Sequence, residues 1–347
     1  MSRGAGFGHA RDSTSAPPEL KSDLVATSSR VVSPTTNLSV GDEQPPAFNF
    51  GAIRDRFHRL LVRAGNQLER EWPDKYASAG SGQMILLQLV RLAITNYKTI
   101  AFTCSDVNDG ANRDPLLALS TPPLNRTILE IIVSVLYLLE DIPGHTDEFF
   151  RAAWRDEREM LDKYQERYGG RPKWDAYIDV RSKGQAKLKK SLGITPEEEA
   201  DLNRIRFWPK PFKAIGRLRR EHPTSNAVNY IQFLDDWLYR ELSTQSHLEP
   251  RGLGELGLYF VGMKDLQIIS GDDRDGVRER LDHKIQEFRT TQVWIAVTLI
   301  MSLVSEIEAH FGYGMKEDLL YFWALFSAHS ETSQEIFKER YEALLGS

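Results

Sequence analysis

The sequence has very little of what disulfide-stabilised or membrane proteins need. Its 347 residues include one cysteine, Cys104, so no disulfide can form within the chain. A chain of this kind fits a reducing compartment, and we expect the protein to be cytoplasmic. The first residues lack the apolar segment of a signal peptide, and the longest uncharged run, 290–305, is 16 residues. Because a spanning helix needs roughly 20 apolar residues, we expect no membrane association.

The sequence also lacks the spacing patterns of metal and hydrolase sites. No Cys or His cluster has zinc spacing, no Glu-x-x-His pair of a di-iron bundle occurs, and no Gly-x-Ser-x-Gly elbow is present. Glu279 with His283 and Glu306 with His310 are isolated pairs four residues apart, which is typical of ordinary core or surface histidines. The sequence therefore predicts no metal and no other cofactor.

Neither charge sign dominates the chain, whose formal net charge is −5. Any nucleic-acid contact must therefore come from a local patch. Two stretches, 181–190 and 202–220, contain basic residues and no acidic ones, and the second includes Phe207, Trp208 and Phe212. Basic side chains beside aromatic rings suit RNA, through phosphate contacts and base stacking. The alternative is that both stretches are solvated helix faces whose aromatic rings turn into the core.

No segment alternates between apolar and polar residues as a strand does, whereas several stretches have helical spacing. We therefore predict an all-α fold, a multi-helix bundle. The first 48 residues are rich in Ser, Thr, Pro and Gly and have no sustained apolar period, so 1–48 is predicted to be a disordered tail. Residues 49–347 are predicted to form a single α-helical domain. The main predicted helices cover about 51–71, 83–102, 125–141, 145–168, 224–247, 275–311 and 316–345.

The predicted helix 125–141 is apolar on nearly every side and has one narrow polar stripe. The stripe consists of Arg126, Glu130, Ser134 and Tyr137. Because so apolar a helix must be largely buried, its charged pair is costly unless water or a partner satisfies it. The stripe is therefore either a thin seam open to solvent or a polar element that faces another helix.

The stretch 224–247 is predicted to form one helix with two different faces. Its apolar side consists of Ala227, Ile231, Leu234, Leu238 and Leu242. The opposite side carries Asp236, Arg240, Ser243 and His247. These four polar residues stand at i, i+4, i+7 and i+11, so their side chains point the same way over roughly three turns. This polar side is either the solvated face of an amphipathic helix or part of a site.

Together these features resemble a bacterial family known as domain of unknown function 5677, over about residues 80–310. The resemblance rests on Asn125-Arg126-Thr-Ile-Leu-Glu130, an Arg-rich helix after it, Trp208 with a short basic helix, and Tyr239-Arg240-Glu-Leu-Ser243-Thr-Gln-Ser-His247. That family is distantly similar to the HEPN helical bundles, which include ribonuclease toxins and phage-defence effectors. In those bundles an Arg, four to six residues and a His stand at the end of a helix. Arg240 and His247 have six residues between them, and Glu241 follows where active HEPN nucleases often have a small polar residue or His.

The resemblance implies a metal-independent ribonuclease of toxin or phage-defence type. His titrates near neutrality and can move the proton of an RNA 2′-hydroxyl, while Arg can hold a phosphate with two parallel hydrogen bonds. The implied catalytic residues are His247, Arg240 and Ser243, with Asp236, Tyr239, Arg126 and Glu130 in support. A second copy forms the cleft in HEPN proteins, so we expect a homodimer, together with an antitoxin or regulatory protein as partner. The alternative is a non-catalytic helical interaction or regulatory module.

Overall fold

Every regular element in the described part of the chain is helical. A computed structural model describes residues 50–104, 115–246 and 272–346, and within these ranges it contains no β-strand. The prediction of an all-α, multi-helix fold is confirmed. The predicted tail, 1–48, lies outside the described residues, and the first described helix begins at Phe50.

The helices, numbered in chain order, have the following bounds. They are α1 Phe50–Arg70, α2 Gly80–Cys104, α3 Pro122–Glu140, α4 Ile142–Tyr168, α5 Pro172–Ser191, α6 Pro196–Ala200, α7 Ala214–Glu221, α8 Asn226–Leu234, α9 Arg240–Ser246, α10 Asp272–Phe311, α11 Lys316–Ser327, α12 Glu331–Ile336 and α13 Glu342–Gly346. Two π-helical segments make continuous connections: Asp235–Tyr239 joins α8 to α9, and Phe337–Tyr341 joins α12 to α13. Short 3₁₀ turns cover Asp74–Ala79, Pro115–Ser120, Leu202–Arg204 and Pro211–Lys213.

Helix α3 is central because its sequence is apolar on almost every side. It packs against α2, α9 and α10, and Ile128, Leu129 and Ile132 are fully buried. Each such side chain contributes roughly 1.5–3 kcal/mol relative to an exposed one. Buried Asn125 ties the start of the helix to α10, since its amide donates to Gln292 Oε1 at 2.8 Å. The surroundings of α3 are therefore fixed both by apolar contact and by a directional bond.

The chain turns sharply from α3 into α4. Asp141 caps α4, and its carboxylate accepts from the Gly144 backbone N–H at 3.1 Å. A Cβ at Gly144 would lie 2.2 Å from Asp141 Oδ2, so a larger residue there would displace the capping carboxylate. The tight turn brings the first turns of α4 back against the end of α3.

The predicted helix 224–247 contains α8, the π segment Asp235–Tyr239 and α9. Ser225 caps α8 by accepting from the Ala227 backbone N–H at 3.0 Å. The predicted apolar side is confirmed, because all five of its members are buried: Ala227, Ile231, Leu234, Leu238 and Leu242. The π segment was not predicted, since apolar spacing does not show whether a turn holds one extra residue.

Two helical stretches, Leu117–Glu140 and Asp282–Phe311, are long and apolar enough to span a membrane by length and composition alone. Within the fold, 61% and 78% of their apolar windows are buried. A core helix of a globular protein meets the same criteria, so their apolar character is accounted for by packing.

Candidate functional site

The predicted site residues lie on neighbouring helical elements. Arg126 and Glu130 are on α3, Asp236 and Tyr239 are in the π segment, and Arg240 and Ser243 are on α9. Because α3 packs against α9, the two polar patterns picked out in the sequence lie side by side. His247 follows the last described residue of α9 and lies outside the described residues.

The Arg126 end of the polar stripe of α3 contacts the π segment that precedes Arg240. Arg126 Nε donates to Glu130 Oε1 at 3.0 Å, and its Nη2 donates to Tyr239 Oη at 2.9 Å. The Arg126 guanidinium also lies 5.0 Å from the centre of the Tyr239 ring. All three side chains are only partly buried. Of the two arrangements that the sequence left open, the contact with Tyr239 corresponds to a polar element facing another helix.

Tyr239 is held on a second side by an aromatic contact. The Phe212 ring lies 4.1 Å from the Tyr239 ring, and the 3₁₀ turn Pro211–Lys213 packs against α3. The turn brings the Lys213 charge close to Asp235. Burial and the charge of neighbouring Asp236 raise the pKa of Asp235, while the Arg240 and Lys213 charges oppose this rise. Two carboxylates, of Asp235 and Asp236, and two cations, of Lys213 and Arg240, therefore lie close together near Tyr239.

Arg240 extends into solvent at the beginning of α9. Its side chain is 72% exposed, and its Nη2 lies 3.3 Å from Asp236 Oδ1. The other oxygen of Asp236 accepts from Gln232 Nε2 at 3.0 Å. An ion pair this exposed contributes little to stability, so a phosphate could replace Asp236 at the guanidinium at small cost.

The π segment changes how the polar residues relate to one another. Its i→i+5 hydrogen bonding adds a residue to the turn, which rotates α9 by roughly 100° relative to a continuous α-helix. Asp236 and Arg240 still meet, as their 3.3 Å contact shows. The polar residues of 236–247 were predicted to share one side of a uniform α-helix. The π segment interrupts that helix, so partly buried Ser243 does not have the predicted alignment with Asp236. Such π turns occur frequently at functional sites.

Six of the twelve cations of the two basic stretches form ion pairs within the fold, including Lys183 with Asp179. Arg181 binds Glu157 through two bonds of 2.6 and 2.5 Å, and Lys189 contacts Glu199 at 2.5 Å. In the second stretch, the pairs are Arg204–Asp201, Arg206–Glu221 and Arg217–Glu148. These contacts reduce the positive charge that either stretch presents to a polyanion.

The aromatic rings of the second stretch pack mainly against protein. Trp208 lies edge-on to Tyr137 at 5.1 Å and to Phe149 at 5.2 Å. Phe207 is half exposed, but the Arg155 guanidinium covers one face of its ring at 3.3 Å. The contacts of these rings correspond to the alternative in which the aromatic side chains serve the core. RNA contact through 202–220 stays a prediction.

No family model matches the chain, and no curated protein or solved structure matches it either. The resemblance to domain of unknown function 5677 and to the HEPN bundles therefore stays a prediction from the quoted residues. Any functional proposal has to rest on the geometry of the site itself.

Proposed function

We propose that the chain is a metal-independent ribonuclease of HEPN-like type, acting in the cytoplasm as a toxin or phage-defence protein. One observation carries the proposal: Tyr239, the residue before exposed Arg240, accepts a 2.9 Å hydrogen bond from Arg126 in the polar stripe of α3. A single solvated helix face has no reason to be tied to a second polar element. A phosphate-binding face benefits from such a contact, because the contacts of Tyr239 fix the backbone position of Arg240.

In the proposed reaction the RNA 2′-hydroxyl oxygen attacks the adjacent phosphorus and the bond to the 5′-oxygen breaks, leaving a 2′,3′-cyclic phosphate. His247 accepts the hydroxyl proton, and a protonated histidine of the second subunit supplies the proton that the departing 5′-oxygen takes up. Arg240 binds the phosphate and stabilises the charge that develops on it. Asp236 or Ser243 orients these two groups.

Arg126, Glu130 and Tyr239 are positioning residues in this proposal. Glu130 holds one edge of the Arg126 guanidinium, which leaves another edge to bind Tyr239. Phe212 limits the movement of the Tyr239 ring from the other side. The three contacts fix the end of the π segment, and Arg240 is the next residue in the chain.

The test is cleavage of single-stranded and structured RNA by the purified full chain. His247→Ala should abolish cleavage, and Arg240→Lys should reduce it at least tenfold, since a point charge does not replace the planar guanidinium. Arg158→Lys is the matched control, because Arg158 is also an exposed arginine paired with an aspartate four residues away, at 3.1 Å. Circular dichroism should show unchanged helix in all three variants.

Two results would contradict the proposal. Wild-type protein that leaves every RNA intact, or His247→Ala that cleaves as well as wild type, shows that this face is not a ribonuclease site. A chelator should leave the rate of cleavage unchanged, because the proposed steps use Arg240 and His247 and no metal ion.

The second candidate is a non-catalytic helical interaction module, which the outer side of α2 favours. Met84 and Phe102 are 63% and 62% exposed there, one at each end of the helix. Between them the Thr95 and Thr99 hydroxyls donate to carbonyls of their own helix, at 2.8 and 3.0 Å. Because these hydroxyls are already satisfied, the surface suits contact with another protein. Intact RNA in the assay above would favour this candidate.

A further inference from the structure

A buried histidine lies at the turn between α3 and α4, well away from Arg240. His145 is 4% exposed, and its ring stacks on the Tyr137 ring at 3.9 Å. Its Nδ1 is 2.6 Å from the Tyr137 carbonyl oxygen. Because a carbonyl oxygen only accepts, Nδ1 must carry the proton and Nε2 keeps its lone pair. The orientation and the tautomer of this imidazole are therefore both fixed.

The end of α7 brings two further side chains that can bind a metal, those of Glu221 and His222, close to His145. His145 Nε2 lies 4.0 Å from Glu221 Oε2, and the His222 ring stands edge-on to His145 at 5.7 Å. One ligand atom from each of the three residues lies within 4.8 Å of the other two. Glu221 is the last residue of α7 and His222 is its C-cap. The carbonyl end of a helix carries partial negative charge, which favours a cation.

We propose that His145, Glu221 and His222 form a binding site for one Zn²⁺ ion that joins α4 to α7. Two imidazoles and one carboxylate are a ligand set that Zn²⁺ uses in proteins, with water completing the four positions. A zinc-bound histidine typically donates its other ring N–H to a carboxylate or backbone carbonyl, as His145 does to Tyr137.

The distances allow such a site with small side-chain movements. Tetrahedral ligands at 2.0–2.1 Å from zinc stand about 3.4 Å apart. His145 is fixed by its contacts, whereas Glu221 and His222 are partly accessible at a helix end and can close toward it. Arg206 Nη1 holds Glu221 Oε1 at 2.8 Å, which leaves Oε2 turned toward His145. This arrangement orients the carboxylate without occupying the ligand oxygen.

The charges around His145 also suit a cation. Burial lowers the pKa of His145, so the imidazole is neutral and able to act as a ligand at neutral pH. Asp141 and Glu148 contribute negative charge near the ring. Arg217 pairs with Glu148, so part of this negative charge is already compensated.

The site is separate from the proposed ribonuclease face. Tyr137 and Arg126 lie 11 residues apart on α3, which corresponds to about 16 Å along the helix. The expected role of the ion is to hold α7 against α4. Zinc binding should therefore raise thermal stability, while RNA cleavage by the folded protein does not depend on the ion.

The test uses the tag-free full chain, stripped of metal and titrated with Zn²⁺ by calorimetry, with Co²⁺ as a spectroscopic probe of four-coordinate geometry. We expect one Zn²⁺ per chain and a higher melting temperature. Glu221→Gln and His222→Ala should each weaken binding at least tenfold and remove the increase in melting temperature. These two positions are chosen because their side chains are partly accessible, so the variants should fold, as circular dichroism will check.

His58→Ala is the control, because His58 is an exposed histidine on α1. It should bind Zn²⁺ as the wild type does. Absence of saturable Zn²⁺ binding in the wild type overturns the proposal. So does binding that Glu221→Gln and His222→Ala both leave unchanged, since the ion would then bind elsewhere on the chain.

Discussion

Single residues in this protein often have partners that are remote in sequence. Glu306 and His310 stand four apart on α10, yet their hydrogen-bond partners differ. Glu306 binds Arg340 and Tyr341, whereas His310 Nε2 lies 2.8 Å from Tyr76 Oη near the end of α1. These partners lie on separate elements of the fold. Each residue therefore contributes to stability in its own environment.

His310 gives a pH dependence whose direction follows from its burial. Burial and the nearby Lys75 charge lower its pKa from 6.5 to about 4. The unfolded chain therefore binds a proton near pH 6.5 that the folded chain does not bind until about pH 4. Protonation between pH 6.5 and pH 4 therefore favours unfolding. The contribution of neutral His310 to the free energy of unfolding is present above pH 6.5 and is lost as the pH falls toward 4.

Urea denaturation of wild type and His310→Gln at pH 7 and pH 4.5 measures this effect. We expect the wild type to lose about 2 kcal/mol more than the variant between the two pH values. Other titrating groups, including His145 with its lowered pKa, act in both proteins and cancel in the comparison. Equal losses in the two proteins would show that His310 does not carry the predicted pH dependence.

At the scale of helical elements, apolar spacing predicted which faces are buried but not where a helix departs from regular geometry. The buried side of α8 and α9 and the central position of α3 both follow from the spacing of apolar side chains. The π segments Asp235–Tyr239 and Phe337–Tyr341 do not, because one extra residue in a turn leaves the average spacing almost unchanged. Tertiary contacts of Tyr239 and Tyr341 hold these turns in place.

The second π segment carries a buried polar network that joins three elements. Arg340 Nη2 donates to Glu306 Oε2 at 2.8 Å, and Tyr341 Oη donates to Glu306 Oε1 at 2.9 Å. Tyr341 Oη also lies 3.3 Å from Tyr230 Oη on α8, and Tyr230 donates to Ser302 at 3.4 Å. Burial raises the pKa of Tyr230 to about 12, so its hydroxyl stays protonated and keeps its hydrogen bonds across the physiological pH range.

Glu306→Gln tests how much this network contributes. The change leaves the Arg340 guanidinium buried without its counter-charge, and removing one partner of a buried pair typically costs about 3–5 kcal/mol. Glu157→Gln is the matched control, because Glu157 binds Arg181 through two bonds in the same way but near the surface. Its cost should be below about 1 kcal/mol. Similar losses in the two variants, measured by urea denaturation, would contradict a special role for the buried network.

At the scale of the whole molecule, the sequence predicts the fold class but not which distant residues come into contact. Periodicity is a local property, and the side of α8 and α9 that its apolar spacing indicates is buried. In the cluster of His145, Glu221 and His222, the last two residues follow His145 by 76 and 77 positions in the chain. No spacing rule could therefore have found this cluster. The contact of Arg126 with Tyr239 spans 113 residues and was not predicted, since the resemblance implied only that both residues support the site.

The last prediction concerns assembly. Arg240 is exposed on one side of its helix, and an exposed guanidinium becomes part of a cleft only when a second surface covers that side. A second copy of the chain related by two-fold symmetry supplies such a surface, with its own Arg240 facing the first. We therefore expect a homodimer in which part of α8, the π segment and α9 is buried, with a total interface of roughly 1,200–2,000 Å².

Light scattering at tens of micromolar should give twice the mass of one chain. Trp237, 39% exposed and next to Asp236, should lie in the interface, so Trp237→Arg should give a monomer with unchanged circular dichroism. Tyr177→Arg is the matched control, because Tyr177 on α5 is equally exposed and far from this helix in the chain. A monomeric wild type would count against the dimer and, because the cleft would then lack its second wall, against the ribonuclease proposal as well.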